Sequence, residues 1–309
     1  MAHEYHTPVL CKEILNYVPD APGSIVVDGT VGGGGHAEQL LLRLPPDGKL
    51  VCFDMDDEAL SFAQKRLQKF GDRVMFIKDN FRNIRPRLQE TGIGSVDGIL
   101  LDLGVSSHQI DDKKRGFSFL ADQRIDMRMN RAQRLDGWTV VNAYEPERLL
   151  EIIREYGEER FASRIVRNIV KARTEHTIDT NAGLGAMVEA AVGPQHLQKS
   201  LARVFQAIRI EVNSELENLR IALEDSLGVL AQGGRLMVIS YHSLEDRIVK
   251  HFIRKESQTI LPSGNKLVPD TLITPNLREL TKKPIVPDED ELRSNPRSRS
   301  AKLRVAERV

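Results

Sequence analysis

The chain predicts an α/β fold, a mostly parallel sheet of Rossmann-like kind with helices on both faces, interrupted by an all-helical insert. Three observations carry that expectation. Short apolar runs alternate with helix-spaced segments between residues 25 and 102, the pattern of a parallel sheet covered on both sides. Four consecutive glycines, Gly32 to Gly35, join the first apolar run to the first helical segment. Residues 108–200 then offer no convincing strand, and strand-like pattern returns only at Arg235. The expected division is one α/β domain in two parts, residues 1–107 and 201–309, with 108–200 as the helical insert.

Taken in order, Pro8-Val9-Leu10 and Glu13-Ile14-Leu15 form a short leading element and helix, broken between Pro19 and Gly23. Ile25 to Val27 is an apolar strand ending at Asp28, followed by the glycine turn and a helix through Leu40, Leu41 and Leu42. Glycine has no Cβ, so a ligand can lie on the backbone there, and the first amides of the helix face it. Lys49 to Phe53 is the second strand, ending at Asp54, and Glu58 to Phe70 holds helical spacing through Leu60, Ala63 and Leu67. Val74 to Ile77 leads to Asp79-Asn80-Phe81, and Val96 to Leu101 ends at Asp102. Within the insert, Arg160, Arg164, Arg167 and Lys171 recur at i, i+4, i+7 and i+11 as a basic stripe, with Phe161, Ile165 and Ile169 on a buried side. A long helix is expected from about Leu201 to Leu230, stopped by Gly233-Gly234. Arg235 to Ser240 is then a buried strand, and Leu244 to Ile253 a helix after the loop Tyr241-His242-Ser243. Residues 256–290 are loop-rich, and the alternation of Lys302 to Ala306 suits a half-exposed edge strand.

Composition excludes several classes. The 309 residues are 40% hydrophobic with a formal net charge of zero, an ordinary globular balance in which any basic surface must come from uneven distribution. Two cysteines, Cys11 and Cys52, cannot build a disulfide framework and lack metal-ligand spacing, so both are expected as reduced thiols. No segment approaches the ~18 apolar residues of a membrane span, and the N-terminus lacks a signal pattern. The expectation is a cytoplasmic protein without a membrane partner.

The glycine turn leaves two cofactors open. Gly32-x-Gly34-x-x-Ala37 matches the dinucleotide fingerprint, with Asp54 at the distance of a ribose-binding acid. Both a nicotinamide cofactor and S-adenosylmethionine place a carboxylate on ribose hydroxyls. Three features favour the methyl donor. Asp28 stands immediately before the turn, where an acid suits a cationic amino group better than a pyrophosphate. Asp79-Asn80-Phe81 offers polar and aromatic groups for an adenine. Asp102 ends the fourth strand, beside the crevice where open α/β sheets bind ligands.

Longer stretches carry a resemblance. They include His6-Thr7-Pro8-Val9-Leu10, Asp28-Gly29-Thr30, Gly34-Gly35-His36, Asp97 to Ser107, Arg115-Gly116-Phe117-Ser118-Phe119 and Asp126-Met127-Arg128-Met129. They continue through Tyr156 to Arg160, Phe205 to Ile210, His242 to Arg247 and Asn295 to Ser300. In these the chain resembles the bacterial MraW (RsmH) family, which methylates the exocyclic N4 amine of a cytidine in 16S ribosomal RNA. The resemblance implies a methyltransferase domain interrupted by a helical substrate-recognition domain. It also implies S-adenosylmethionine as cofactor, and 16S RNA within the small ribosomal subunit as partner. Carried over by residue, cofactor contacts fall on Gly34, Gly35, His36, Asp54, Phe81, Asp102 and Gln109. The chain departs from the family's usual pattern at Gly33, Ala37, His108 and Asn130.

Methyl transfer to an amine needs alignment and exclusion of water rather than a metal. An acceptor near the amine helps localise its lone pair, and Asp102, Ser106 and His242 are the candidates. Arg160, Arg164, Arg167 and Lys171, with Arg297, Arg299, Lys302 and Arg304, can hold an RNA backbone. A non-catalytic ribosome-assembly factor that retains the pocket and a nicotinamide oxidoreductase remain the alternatives. Monomer and homodimer are both open.

Overall fold

The computed structural model describes residues 8–119, 122–261, 263–264 and 269–309. His6 and Thr7 of the first matching stretch, and the side chains of Ser107 and His108, lie outside the described residues. In chain order the first elements are α1 (Cys11–Leu15), β1 (Ile25–Asp28), α2 (Gly35–Arg43), β2 (Lys49–Asp54), α3 (Asp57–Leu67), β3 (Val74–Lys78), α4 (Ile84–Glu90) and β4 (Val96–Asp102). There follow α5 (Ser107–Asp111), α6 (Gly137–Ala143), α7 (Pro146–Glu155), α8 (Ala162–Arg173), α9 (Asn181–Glu189), α10 (Pro194–Asn213) and α11 (Glu215–Val229). The chain ends with β5 (Leu230–Ser240), α12 (Ser243–Glu256), β6 (Ile260–Leu261), β7 (Thr271–Leu272), β8 (Leu277–Glu279), α13 (Glu289–Ser294) and β9 (Lys302–Arg308). It divides into two compact units, Met1–Gly104 with Leu216–Val309, and Val105–Glu215.

The first unit is a seven-stranded sheet in the order β3-β2-β1-β4-β5-β9-β8. The strands from β1 to β5 are mutually parallel, and β9 runs antiparallel to β5. Alternation along each strand sends neighbouring side chains to opposite faces. Val26, Leu50, Leu100, Met237 and Leu303 form one buried face with Leu40 and Leu41 of α2 and Leu60 and Ala63 of α3. Val27, Val51, Ile99, Leu101 and Val238 form the other with Leu88 of α4, Leu219 and Leu223 of α11, and Val249 and Ile253 of α12. A sheet covered on both faces accounts for near-continuous apolar strands.

Four expectations change. Lys302 to Ala306 is not an edge: β9 pairs with both β5 and β8, and Leu303, Val305 and Ala306 are fully buried. The edge is β8, only three residues long and absent from the hydropathy pattern. Arg304 is consequently buried and pairs with Asp246 at 2.6 Å, while Lys302 lies 3.4 Å from the same carboxylate. Burial beside an acid removes Arg304 from the residues that can reach a phosphate. The helix expected over 201–230 is two helices, because Ser214 adopts φ 51° and ends α10. That break places α10 with the insert, whose far boundary is Glu215 rather than residue 200.

The second unit packs α6 to α10 around Val140, Leu149, Ile152, Ile165, Ile169, Leu184, Val204 and Ile208. Its connecting segments are held by polar side chains rather than strands. The buried Arg115 donates from Nη2 to the carbonyls of Arg128 and Met129. Asn213 accepts from the Met129 amide and donates to the Met127 carbonyl, and Asn181 donates to the carbonyls of Gly116 and Ser118. The stretches 115–119 and 126–129 are thus the insert's internal frame. Arg160 precedes α8 instead of lying on it, so the basic stripe has three helical members and one in the preceding turn.

Removing one partner of a buried ion pair leaves the other uncompensated. Arg304→Ala is therefore expected to cost about 3 kcal/mol or more of unfolding free energy in urea titration; a loss below about 0.5 kcal/mol would assign Arg304 a surface role.

Candidate active site

Strand order reverses between β1 and β4, and in open α/β sheets the crevice beyond the strand ends at that point receives the ligand. The three acids read from the sequence meet there. Asp28 is in register with Cys52 of β2 and Leu100 of β4, so Asp54 and Asp102 each stand two residues beyond it on the flanking strands. The glycine turn rises from β1 between them.

Gly34 is the N-cap of α2 at φ 78°, a conformation that disfavours any side chain. A Cβ on Gly34 would lie 3.3 Å from the backbone of Ala63 in α3, so this glycine also permits helix packing. Gly32, at φ 50°, is different: a Cβ there would meet nothing nearer than the Thr30 carbonyl at 3.9 Å. The open backbone of the turn is therefore at Gly32, two residues before Gly34.

Asp54 shapes this turn. Its Oδ2 accepts the Gly32 amide at 2.9 Å and its Oδ1 the Asp56 amide at 2.9 Å. Burial raises its carboxyl to about 6, against the amides of Asp56, Gly32 and Met55, which favour the charged form. A carboxylate has about four lone-pair sites, so three amides leave room for a further donor.

Asp28 is 1% exposed, and its Oδ1 accepts the Thr30 amide at 3.1 Å. Its Oδ2 is buried without a hydrogen-bond partner among the described residues. Burial raises this carboxyl to about 7; His36 works against the rise and the charges of Asp102 and Asp54 add to it. A buried, unsatisfied carboxylate oxygen is costly unless a cation or donor arrives.

His36, the second residue of α2, is buried; its Nε2 donates to the Val9 carbonyl at 2.8 Å, and its Nδ1 lies 3.4 Å from Oδ2 of Asp102. The backbone amide of Asp102 donates to Thr30 Oγ1 at 2.8 Å. Tyr241, at the end of β5, donates its hydroxyl to Asp102 Oδ1 at 2.9 Å. Burial, then the charge of Asp102, pushes the Tyr241 phenol well above its ordinary range. Tyr241 escaped the sequence reading, although a polar aromatic directly after a buried strand was a usable signal.

Phe81 opens a short 3-10 turn and packs over the start of the glycine turn, its Cβ 3.2 Å from where a Cβ on Gly29 would stand. Asp79 is committed to Arg87, Asn83 and the Asn80 amide, and the Asn80 side chain accepts the Arg82 amide. The Asp79 carboxylate and the Asn80 side-chain oxygen are therefore spent on the loop, which leaves the Asn80 side-chain amide donors and the Phe81 ring for a ligand.

Two catalytic candidates are helix caps. His242 is the N-cap of α12, its Nδ1 accepting the Glu245 amide while Glu245 accepts the His242 amide. Ser106 and Gln109 belong to the second unit and cap α5 reciprocally. The Ser106 hydroxyl accepts the Gln109 amide at 3.2 Å and the Gln109 side-chain oxygen accepts the Ser106 amide at 3.0 Å. Capping accounts for His242 Nδ1 and for the Ser106 hydroxyl; His242 Nε2 lies 3.2 Å from Glu245 Oε1, and Asp102 is the candidate at the switch point of the sheet.

The sheet order and the acid-lined crevice define the class: a Rossmann-like α/β methyltransferase. Residues 3–309 match the model of the MraW methylase family. The ribosomal RNA small subunit methyltransferase H of Syntrophotalea carbinolica is 47% identical over 308 residues, covering 98% of each chain. The chain belongs to the MraW methylase family. Among solved structures, an rRNA methylase from Streptococcus thermophilus aligns at 14% identity over 96% of this chain and 93% of that one, with a TM-score of 0.41. TrmN from Thermus thermophilus aligns at 12% identity over 97% of this chain and 48% of that one, with a TM-score of 0.43. Likenesses that distant say nothing of the site.

The raised carboxyl of Asp28 has a sign that can be measured. Its ordinary value is 3.8 and its folded value about 7, so between pH 4 and 7 the folded chain holds a proton that the unfolded chain has lost. Rising pH across that window therefore destabilises the ligand-free protein through Asp28, by up to about 1.4 kcal/mol per pH unit. Asp28→Asn should gain stability relative to the parent from pH 4 to 7 and then level off; a difference constant with pH in urea titrations would contradict the burial of that charge.

Proposed function

We propose that this chain transfers a methyl group from S-adenosylmethionine to the exocyclic N4 amine of a cytidine in 16S ribosomal RNA of the small subunit. The observation that carries the reading is its 47% identity, over nearly the whole length of both chains, to a ribosomal RNA small subunit methyltransferase H. The crevice fits the cofactor chemically. Asp28 offers an orphaned carboxylate oxygen to a cationic amino group, Asp54 offers lone pairs to ribose hydroxyls, and the turn is open at Gly32. Gly34, Gly35, His36, Phe81 and Asp102 complete the proposed contacts, and Gln109 is retained on the family resemblance alone.

When bound, the cofactor supplies an electrophilic sulfonium methyl. The protein's part is alignment and charge. Asp102 is held from one side by the Tyr241 hydroxyl and faces His36 on the other, so its carboxylate is oriented before substrate arrives. A cytosine amine has its lone pair delocalised into the ring, and an N–H donated to Asp102 localises that pair as the new bond forms. Arg160, Arg164, Arg167 and Lys171 are exposed in the second unit, and Arg297 and Arg299 are exposed near the start of β9. These cations are the proposed RNA contacts, with the target base drawn from an unpaired segment where extrusion costs least.

Incubation with labelled S-adenosylmethionine and immature small subunits should place label on N4 of a 16S cytidine. Asp102→Asn should slow that transfer at least about a hundredfold. Label on no RNA cytidine would favour the assembly-factor reading. Charge reversal at Arg164 and Arg167 together should weaken subunit binding while leaving S-adenosylmethionine affinity within about twofold of the parent; unchanged subunit binding would return that stripe to solvent.

A further inference from the structure

The second unit holds an exposed cluster that the basic stripe does not explain. Phe161 is half-buried at the N-cap of α8, and two guanidiniums lie over its ring, Arg160 at 4.6 Å and Arg164 at 5.2 Å from the centroid. The ring of His196, third residue of α10, stands 5.5 Å from Phe161 at an interplanar angle of 37°. Arg160 Nη2 lies 2.6 Å from His196 Nε2. A guanidinium is always a donor, so His196 Nε2 is the acceptor and the imidazole is neutral in this arrangement. The cluster is also fixed from beneath: Glu159, fully buried, accepts the Phe161 amide at 2.8 Å and lies 3.6 Å from Arg203.

Ordinary solvation of an arginine does not require two planar rings beside it, nor a buried acid holding the backbone of one of them. Flat groups presented together with fixed positive charge are what an unstacked nucleobase and its phosphates recognise. The positive end of the α10 dipole, beside His196, adds to the same field.

We propose that Phe161, His196, Arg160 and Arg164 form a stacking platform for an unpaired nucleotide of the substrate RNA, separate from the cytidine that receives the methyl group. This rests on the RNA-methyltransferase reading above. Two kinds of contact are then combined. The rings and guanidinium planes take the base face, a contact nearly independent of salt, while Arg167 and Lys171 further along α8 take phosphates, whose contribution falls as salt rises.

The test measures affinity for naked 16S RNA and for immature small subunits across a salt series. It uses the parent protein, Phe161→Leu, His196→Ala and Arg167→Ala, with thermal midpoints and S-adenosylmethionine affinity as checks on folding. Phe161→Leu keeps apolar volume and removes the ring. Both ring variants should lose about tenfold in RNA affinity at every salt concentration with the slope against log salt unchanged, whereas Arg167→Ala should reduce the slope. Affinity unchanged in His196→Ala and in a folded Phe161→Leu would overturn the platform. So would a loss confined to assembled subunits and absent on naked RNA, which would assign the surface to a ribosomal protein. Labelled methyl transfer by the parent protein, run in parallel, separates the cases: transfer intact with ring variants binding normally defeats the platform alone, and no transfer despite RNA binding defeats the methyltransferase reading alone.

Discussion

A buried acid with one carboxylate oxygen unpartnered among the described residues is the constraint around which the first unit's crevice is built. Asp28, Asp54 and Asp102 end three adjacent parallel strands, and the sheet brings their like charges together in a low dielectric. The chain relieves two of them internally. Asp54 takes amides from the glycine turn and the start of α3, and Asp102 takes the Tyr241 hydroxyl. Asp28 receives one amide and keeps an orphaned oxygen. A fold that only needed stability would replace such a group, since apolar substitution of a buried charge is often neutral or favourable. Its retention at the switch point of the sheet is understandable when a cationic ligand completes it.

Other contacts of the first unit support that crevice, and the second unit is built around a separate polar frame. The leading segment supplies the Val9 carbonyl that fixes the His36 ring, and Glu291 of α13 accepts the Leu10 amide where the backbone is left-handed. The second unit spends its polar residues on its own frame, through Arg115, Asn181 and Asn213, and leaves arginines outward on α8. Positive charge is thus concentrated locally in a chain whose formal net charge is zero. A total charge of zero therefore says nothing about where basic surface lies.

Much of this was legible in residue order because parallel strands buried on both faces read as apolar runs, and their ends read as acids. The alternation of strands and helices, the glycine turn, the insert and the convergence of Asp28, Asp54 and Asp102 all follow from periodicity. What periodicity concealed has specific physical causes. Ser214 breaks a pattern of apolar spacing that continues across it, because a single left-handed residue leaves the spacing intact. The three-residue β8 is too short to show alternation, so β9 looked like an edge. Ser106, Gln109 and His242 are polar residues at helix starts, where capping and catalysis call for the same atoms, and only hydrogen-bond geometry separates the two uses. Tyr241 acts through Asp102, a contact 139 residues away in sequence that no local pattern encodes.

With its carboxyl raised to about 7, Asp28 is expected to be protonated in the ligand-free crevice at pH 6 and to ionise when a cationic cofactor binds. Calorimetry of S-adenosylmethionine binding at pH 6, repeated in buffers of different ionisation enthalpy, counts the protons exchanged. With its carboxyl raised to about 7, Asp28 should release close to one proton per cofactor bound, and Asp28→Asn should abolish most of that release. Binding that exchanges no proton in the parent protein, or the same number in Asp28→Asn, would contradict the account.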